Sequence, residues 1–289
     1  TELAKSVKNR LKDNSGLPKW KSLSFNSNGI SSQDLKNLVA ILRRMENLEE
    51  LYLNDNFDDS MNGIDDNLLY LLDFNKDKHP LHGIKLPLLR KIAIGGTPPS
   101  EQENPDSKGK HLRGAIFKFL NLLSIDHYQR IVYLDISNNK SGDEIFEPLK
   151  KLFHQEDVVL QTLLIDGNDI KMISKLKEFA IEAEKCQSLV TFPFPINDAK
   201  AIIESSNSSE RDSNISDLSE VQIQFVRVVN IHRKVPDLPF PADESVKELI
   251  HDIMKNVKSN ISTEYLRHHT KFCKELNLPL PFKKMGETP

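Results

Sequence analysis

The chain is poor in cysteine: two, Cys186 and Cys273, in 289 residues. They lie far apart in sequence, which excludes a disulfide framework and a four-thiolate zinc site and fits a reducing compartment. No stretch approaches the ~18 apolar residues of a membrane-spanning helix, and no signal-peptide hydrophobic region opens the sequence. Charge of one sign is lacking as well. Basic residues number 39 against 42 acidic ones, a net of −3, whereas a dedicated nucleic-acid binder carries a strong basic excess. The hydrophobic fraction, 38%, lies below the globular average but is too high for a disordered chain. Reactive signatures are missing too. Gly95-Gly96 follows a predicted strand, yet no GxxxxGK[ST] or GxGxxG accompanies it, and there is no GxSxG, HExxH or CxxC. These absences imply a soluble, cytoplasmic, non-catalytic protein with no cofactor.

What the chain does contain is a recurring pattern. Leu160, Leu163, Ile165, Asn168 and Ile170 fit the template LxxLxLxxNxI, and such repeats decide the fold. Other copies are Trp20/Leu23/Phe25/Asn28, Leu48/Leu51/Leu53/Asn56, Leu89/Ile92/Ile94/Thr97, Ile131/Leu134/Ile136/Asn139 and Leu189/Phe192/Phe194/Asn197. The LxL core predicts a short strand whose alternate side chains enter a shared interior. The asparagine amide can bond the backbone of its own turn and of the neighbouring coil; Thr97 offers only a hydroxyl. Successive asparagine positions are 28, 41, 42, 29 and 29 residues apart. A period of 28–29 implies a full helix between strands. Leu35, Leu38, Val39, Leu42 and Met45 lie on one helical face; so do Leu149, Leu152 and Phe153, and Ile173, Leu176, Phe179, Ala180 and Ala183. The expected fold is an α/β leucine-rich repeat solenoid with a parallel sheet, over residues 1–204.

Two intervals carry about 13 extra residues each, by the difference from the basic period. The first holds Asp58, Asp59, Asp65 and Asp66 and runs to His82. The second, Pro98 to Lys110, reads as an exposed loop. Glu2 to Leu11 has helical spacing without a preceding strand, so it reads as half of an earlier repeat in a fragment of a longer array. Beyond Asn197 the template stops. Residues 198–205 are predicted helical, 205–217 a Ser/Asn-rich flexible loop open to phosphorylation, and 218–289 a helical capping region with helices near 218–232, 244–259 and 263–276.

Candidate chemistry is thin. Asp58 to Gly63 begins like a calcium loop, but its twelfth position is Leu69 where a glutamate is required; an acidic solvated loop accounts for it better. His269 and Cys273 stand four apart with His268 beside them, and no second ligand pair accompanies them. A repeat protein's default site is instead the concave strand face. Its outward positions include Glu50, Tyr52, Asn54, Lys91, Tyr133, Asp135, Ser137, Thr162, Leu164, Asp166, Pro193 and Pro195, a mixed, partly apolar surface suited to a protein partner.

The long-period repeats resemble the ribonuclease-inhibitor-like class of leucine-rich repeats. The end of the array, Thr191-Phe-Pro-Phe-Pro-Ile-Asn-Asp-Ala199, followed by a helix, a polar gap and the apolar Val221 to Arg233, resembles the CARMIL family of actin-regulatory scaffolds. The resemblance implies a proline-bearing last strand leading into a helical cap. It also implies a scaffold at the cell cortex or cytoskeleton whose partners are actin-regulatory proteins. Capping-protein binding in that family belongs to a basic segment that matches nothing here. Two other families are similar in repeat type. Fungal repeat proteins that partner protein phosphatase 1 are one, although no RVxF-type segment is found in this chain. Ran-type GTPase-activating proteins are the other, although they carry an acidic tail and this chain ends near Lys283 and Lys284. The oligomeric state is left open by the sequence.

Overall fold

The computed structural model describes residues 19–42, 45, 47–61, 64, 68, 88–98, 109–124, 130–155 and 157–232. The expected helices near 2–11, 244–259 and 263–276, with His268, His269 and Cys273, lie outside them, as does most of the first insertion.

The chain forms an open mixed α/β fold. Five strands of three residues each, β1 (Ser22–Ser24), β2 (Glu50–Tyr52), β3 (Lys91–Ala93), β4 (Tyr133–Asp135) and β5 (Thr162–Leu164), make one parallel sheet in chain order. Among the described residues six α-helices accompany it: α1 (Ser32–Leu42), α2 (Gly114–Leu123), α3 (Phe146–Phe153), α4 (Ile173–Glu182), α5 (Ile196–Ser205) and α6 (Arg211–His232). Among the described residues no helix is long and apolar enough to cross a membrane.

The register follows the template. Leu23, Leu51, Ile92, Leu134 and Leu163 are aligned across the sheet; all but Leu23 are fully buried. Alternation puts their neighbours on the opposite face. The helical stripes read from the sequence close the core from the other side, with Leu35, Leu42, Leu149 and Leu176 at 0% exposure. Helix α2 adds Ile116, Phe119, Leu120 and Leu123. The first copy is looser, since Trp20 is 41% exposed and Asn28 is exposed.

Buried asparagines tie β2, β4 and β5 each to the strand before it. Asn56 Nδ2 donates to the carbonyls of Phe25 and Leu53 at 2.8 and 2.9 Å, while its Oδ1 accepts the amides of Asn28 and Ile30. Asn139 repeats this toward Ile94 and Ile136 at 3.0 Å each, accepting from Leu112 N–H. Asn168 donates to Ile136 and Ile165. Thr97 does something different: its backbone N–H meets the Lys110 carbonyl at 3.0 Å, and its hydroxyl accepts Lys110 N–H at 2.7 Å. The second insertion is thereby pinched shut at its neck, with residues 99–108 beyond it outside the described set.

The last position departs from the template. Asn197 is exposed, and the residue that serves the preceding turn is Asp198. Its Oδ2 accepts Gly167 and Asn168 N–H at 2.8 and 3.1 Å, and its Oδ1 accepts Ile170 N–H at 3.0 Å, the pattern Asn56 shows toward Asn28 and Ile30. The turn needs only an acceptor there, and a carboxylate in the first turn of α5 also suits the helix dipole.

The sheet ends for a chemical reason. Thr191 N–H donates to the Gln161 carbonyl, and Leu163 N–H to that of Thr191, leaving a single bridge, Thr162 to Thr191. The next rung of a parallel ladder falls two residues on, and Pro193 has no N–H to give.

Helix α6 covers the exposed end. Leu218, Val221, Phe225 and Val228 are buried, and Phe225 stacks on Phe192 at 4.1 Å and meets Phe194 edge-on at 5.6 Å. Phe192 in turn meets Phe179, which stacks on Phe146 and Phe153. The helix begins at Arg211, seven residues before the predicted Leu218, so the expected 205–217 loop shortens. Asn207 is the reason: its side chain and carbonyl both accept Glu210 N–H, the role of a helix cap. A Ser/Asn-rich run that reads as a connector supplies capping groups.

Replacing Asn139 by Ala strands the buried Leu112 N–H and the Ile94 carbonyl, each worth ~1–3 kcal/mol, while the Ile136 carbonyl keeps the Asn168 amide. Urea unfolding is expected to register a loss of about 2 kcal/mol or more. The exposed Asn28→Ala is expected to cost under ~0.5 kcal/mol; equal losses would remove the buried amide as the cause.

Candidate functional site

The sheet face opposite the core gathers most of the outward positions read from the sequence. Its first row is Ser22, Glu50, Lys91, Tyr133 and Thr162, its second Ser24, Tyr52, Ala93, Asp135 and Leu164. Asn54, Gly95, Ser137 and Asp166 follow two residues further along the same strands.

The centre of the face is low and aromatic. Strand β3 and the segment that continues it contribute Ala93 and Gly95, both buried. Tyr52 on β2 and Tyr133 on β4 reach across it until their rings meet edge-on, with centroids 6.4 Å apart. A larger side chain at position 93 would part them. Nor does Gly95 leave room: a Cβ there would sit 3.0 Å from the Ser137 carbonyl oxygen and 3.3 Å from Asn54 Oδ1. The adjoining Gly96 is more confined still, because a Cβ would fall onto the carbonyl oxygens of Asn138 and Lys110.

Two polar groupings flank the tyrosines. Lys91 Nζ pairs with Glu50 Oε1 at 2.7 Å, and Tyr52 donates its hydroxyl to Glu50 Oε2 at 3.2 Å. The Lys91 bond holds the Glu50 carboxyl below its ordinary range, and Glu50 in turn raises Lys91. On the other side Asn54 Nδ2 donates to Asp135 Oδ2 at 3.0 Å, while Asn54 Oδ1 accepts Gly95 N–H at 2.6 Å. Asp135 Oδ1 accepts the amide and hydroxyl of Ser137 at 3.0 and 2.6 Å. Burial, and after it the Asp135 charge, pushes the Tyr133 phenol well up. That phenol makes no hydrogen bond among the described residues.

Asp166 belongs to the far edge of the face and to the fold at once. Its Oδ1 accepts Asn197 N–H at 2.8 Å and its Oδ2 accepts the Asn197 side-chain amide at 2.9 Å. Asp198, 2% exposed, returns the favour to the turn after β5. Leu164, Thr162 and Pro193 are half-buried on the same side. Pro195 is buried and precedes the first turn of α5, so it offers the face little, contrary to expectation.

Away from the face, Asp58 accepts from the amide and hydroxyl of Ser60, and Asp59 pairs with Arg113 at 3.4 Å. The start of the would-be calcium loop is thus occupied internally; Gly63 lies outside the described residues. Among those residues no group of three or more His, Cys, Asp or Glu is arranged to hold a metal ion. Cys186 is fully buried, and burial raises its thiol. The roles of Asp198 and Gly96 were missed from the sequence; an acid one residue past an expected asparagine was the available sign of the former.

No family model matches the chain, and no curated protein matches it either. The face itself therefore carries the functional reading.

Burial, followed by the charge of Asp198, pushes the Asp166 carboxyl up to about 7. Burial raises Asp198 to about 6 against the amides that bond it. Carboxyls raised in this way hold protons in the folded state that the unfolded chain has released. Their contribution to stability is complete below about pH 4 and is lost as pH rises toward about 7. Thermal melts of Asp166→Asn are expected to exceed the wild type by a few degrees, roughly 2–4 °C per kcal/mol, at pH 8 and to converge with it at pH 5. A constant offset across that range would mean the pair does not titrate.

Proposed function

We propose that this chain is a leucine-rich repeat solenoid of about six repeats that works as a non-catalytic scaffold, binding a protein partner through its strand face. The reading extends to a CARMIL-like role in cytoskeletal or cortical regulation, with α6 as part of the end cap.

One observation carries it above all. The outward strand positions align in register across five parallel strands, making a continuous surface with an aromatic centre. Interfaces of this kind favour tyrosine at the centre and polar groups at the rim. Tyr52 and Tyr133 occupy that centre, with Leu164 and Pro193 extending the apolar area. Support for the repeat reading comes from the bonds of Asn56, Asn139 and Asn168 to the preceding strand.

The test is capture of partners by the tagged protein and by a Tyr52→Ala/Tyr133→Ala variant, followed by an affinity measurement on any partner that distinguishes them. Truncating a central aromatic pair is expected to cost about 2 kcal/mol or more, roughly thirtyfold in Kd. An actin-regulatory component lost with the tyrosines supports the CARMIL-like role. A phosphatase catalytic subunit would favour the fungal-type relationship instead. Stimulated GTP hydrolysis by any member of a small-GTPase panel would overturn the scaffold-only reading.

A further inference from the structure

The charges of the strand face do not balance. Over the outward positions of the described strands and the residues that continue them, the ionisable carboxylates are Glu50, Asp135 and Asp166, and the one cation is Lys91. Lys91 is committed to Glu50 at 2.7 Å. Asp135 and Asp166 have no cationic partner among the described residues. Asp135 is only 6% exposed and is held by three neutral donors, one from Asn54 and two from Ser137. Neutral donors satisfy a carboxylate's lone pairs but leave its charge, and a charge in a low-dielectric surrounding attracts a counter-ion strongly.

The aromatic centre has the same preference. Asp135 is aligned with Ala93, over which Tyr52 and Tyr133 meet. Tyrosine faces attract cations, and a guanidinium does so while also bonding a carboxylate in its own plane. An ammonium can do the first but lacks the planar fork for the second. Thr162 and Leu164, beside Tyr133 and Asp135, are half-buried and uncharged, so they set no competing charge next to the acid.

We infer that the strand face takes an extended, arginine-bearing segment of a protein partner, with a guanidinium seated at the Tyr52–Tyr133 pair beside Asp135 and a second basic side chain toward Asp166. This rests on the protein-recognition reading above and adds the chemistry of the partner. With Lys91 paired to Glu50, Asp135 and the partly ionised Asp166 leave the face negative, which opposes nucleic acid and anionic lipid, so those are outcomes that would count against it.

The experiment uses the whole chain and a fluorescein-labelled glycine–serine peptide carrying two spaced arginines, with its citrulline counterpart as the neutral isostere. Fluorescence polarisation is expected to show saturable binding of the arginine peptide that weakens as salt is raised from about 50 to 500 mM. The citrulline peptide is expected to bind about tenfold more weakly or worse. Two variants locate the site. Asp135→Asn removes the charge, and Thr162→Arg places a resident guanidinium beside Tyr133 while leaving the buried acids untouched. Each should weaken the peptide about tenfold, with thermal melts confirming that Thr162→Arg is folded. Equal binding of the citrulline peptide, or wild-type affinity in Thr162→Arg, overturns the inference, as does preferential binding of oligonucleotide or anionic vesicles that the same variants abolish. The two readings separate cleanly. A partner lost with Tyr52 and Tyr133 but indifferent to Thr162→Arg and to salt sinks the arginine inference and leaves the scaffold. If no partner depends on the tyrosines while the peptide binds as described, the scaffold reading falls instead.

Discussion

A carboxamide buried behind the sheet is the interaction on which the other features depend. Strands of three residues are too short to hold a parallel register by their own ladder bonds, and no disulfide was available from two distant cysteines. Asn56 and Asn139 compensate by donating to carbonyls in their own turn and to one at the preceding strand, and by accepting backbone amides that follow that strand. A side chain with two donors and one acceptor links successive turns at fixed spacing, and the aligned leucines then meet at the same depth. The helices pack on what this alignment provides, down to the phenylalanine series from Phe146 to Phe225.

Much of this was legible before any coordinates. Alternation in a strand is close to deterministic, so Leu51, Ile92, Leu134 and Leu163 were assigned inward and Glu50, Lys91, Tyr133 and Thr162 outward from letters alone, and they sit there. Other parts were hidden for identifiable reasons. The template matched Asn197 because it asks for a letter, whereas the turn asks for an acceptor that Asp198 supplies. The early start of α6 was disguised by composition, since serine and asparagine serve both loops and caps.

The face was legible in membership but not in its pairings. That Tyr52 would meet Tyr133 depends on what lies between them, the small side chain of Ala93, and on an interval lengthened by an insertion. The bond from Asn54 to Asp135 joins residues 81 apart and follows no periodicity. Pro195 shows the limit from the other side: the alternation is right, but the strand has already ceased, and the residue turns into the approach to a helix.

Pro193 has a meaning beyond ending a ladder. Sheets with free margins invite a second molecule to continue them. Here the last segment touches β5 at one bridge and then cannot donate, and the carboxylate of Asp198 can receive amides but has none to pass forward. The sheet thus carries its own stop at this margin, written in one imino acid and one acid.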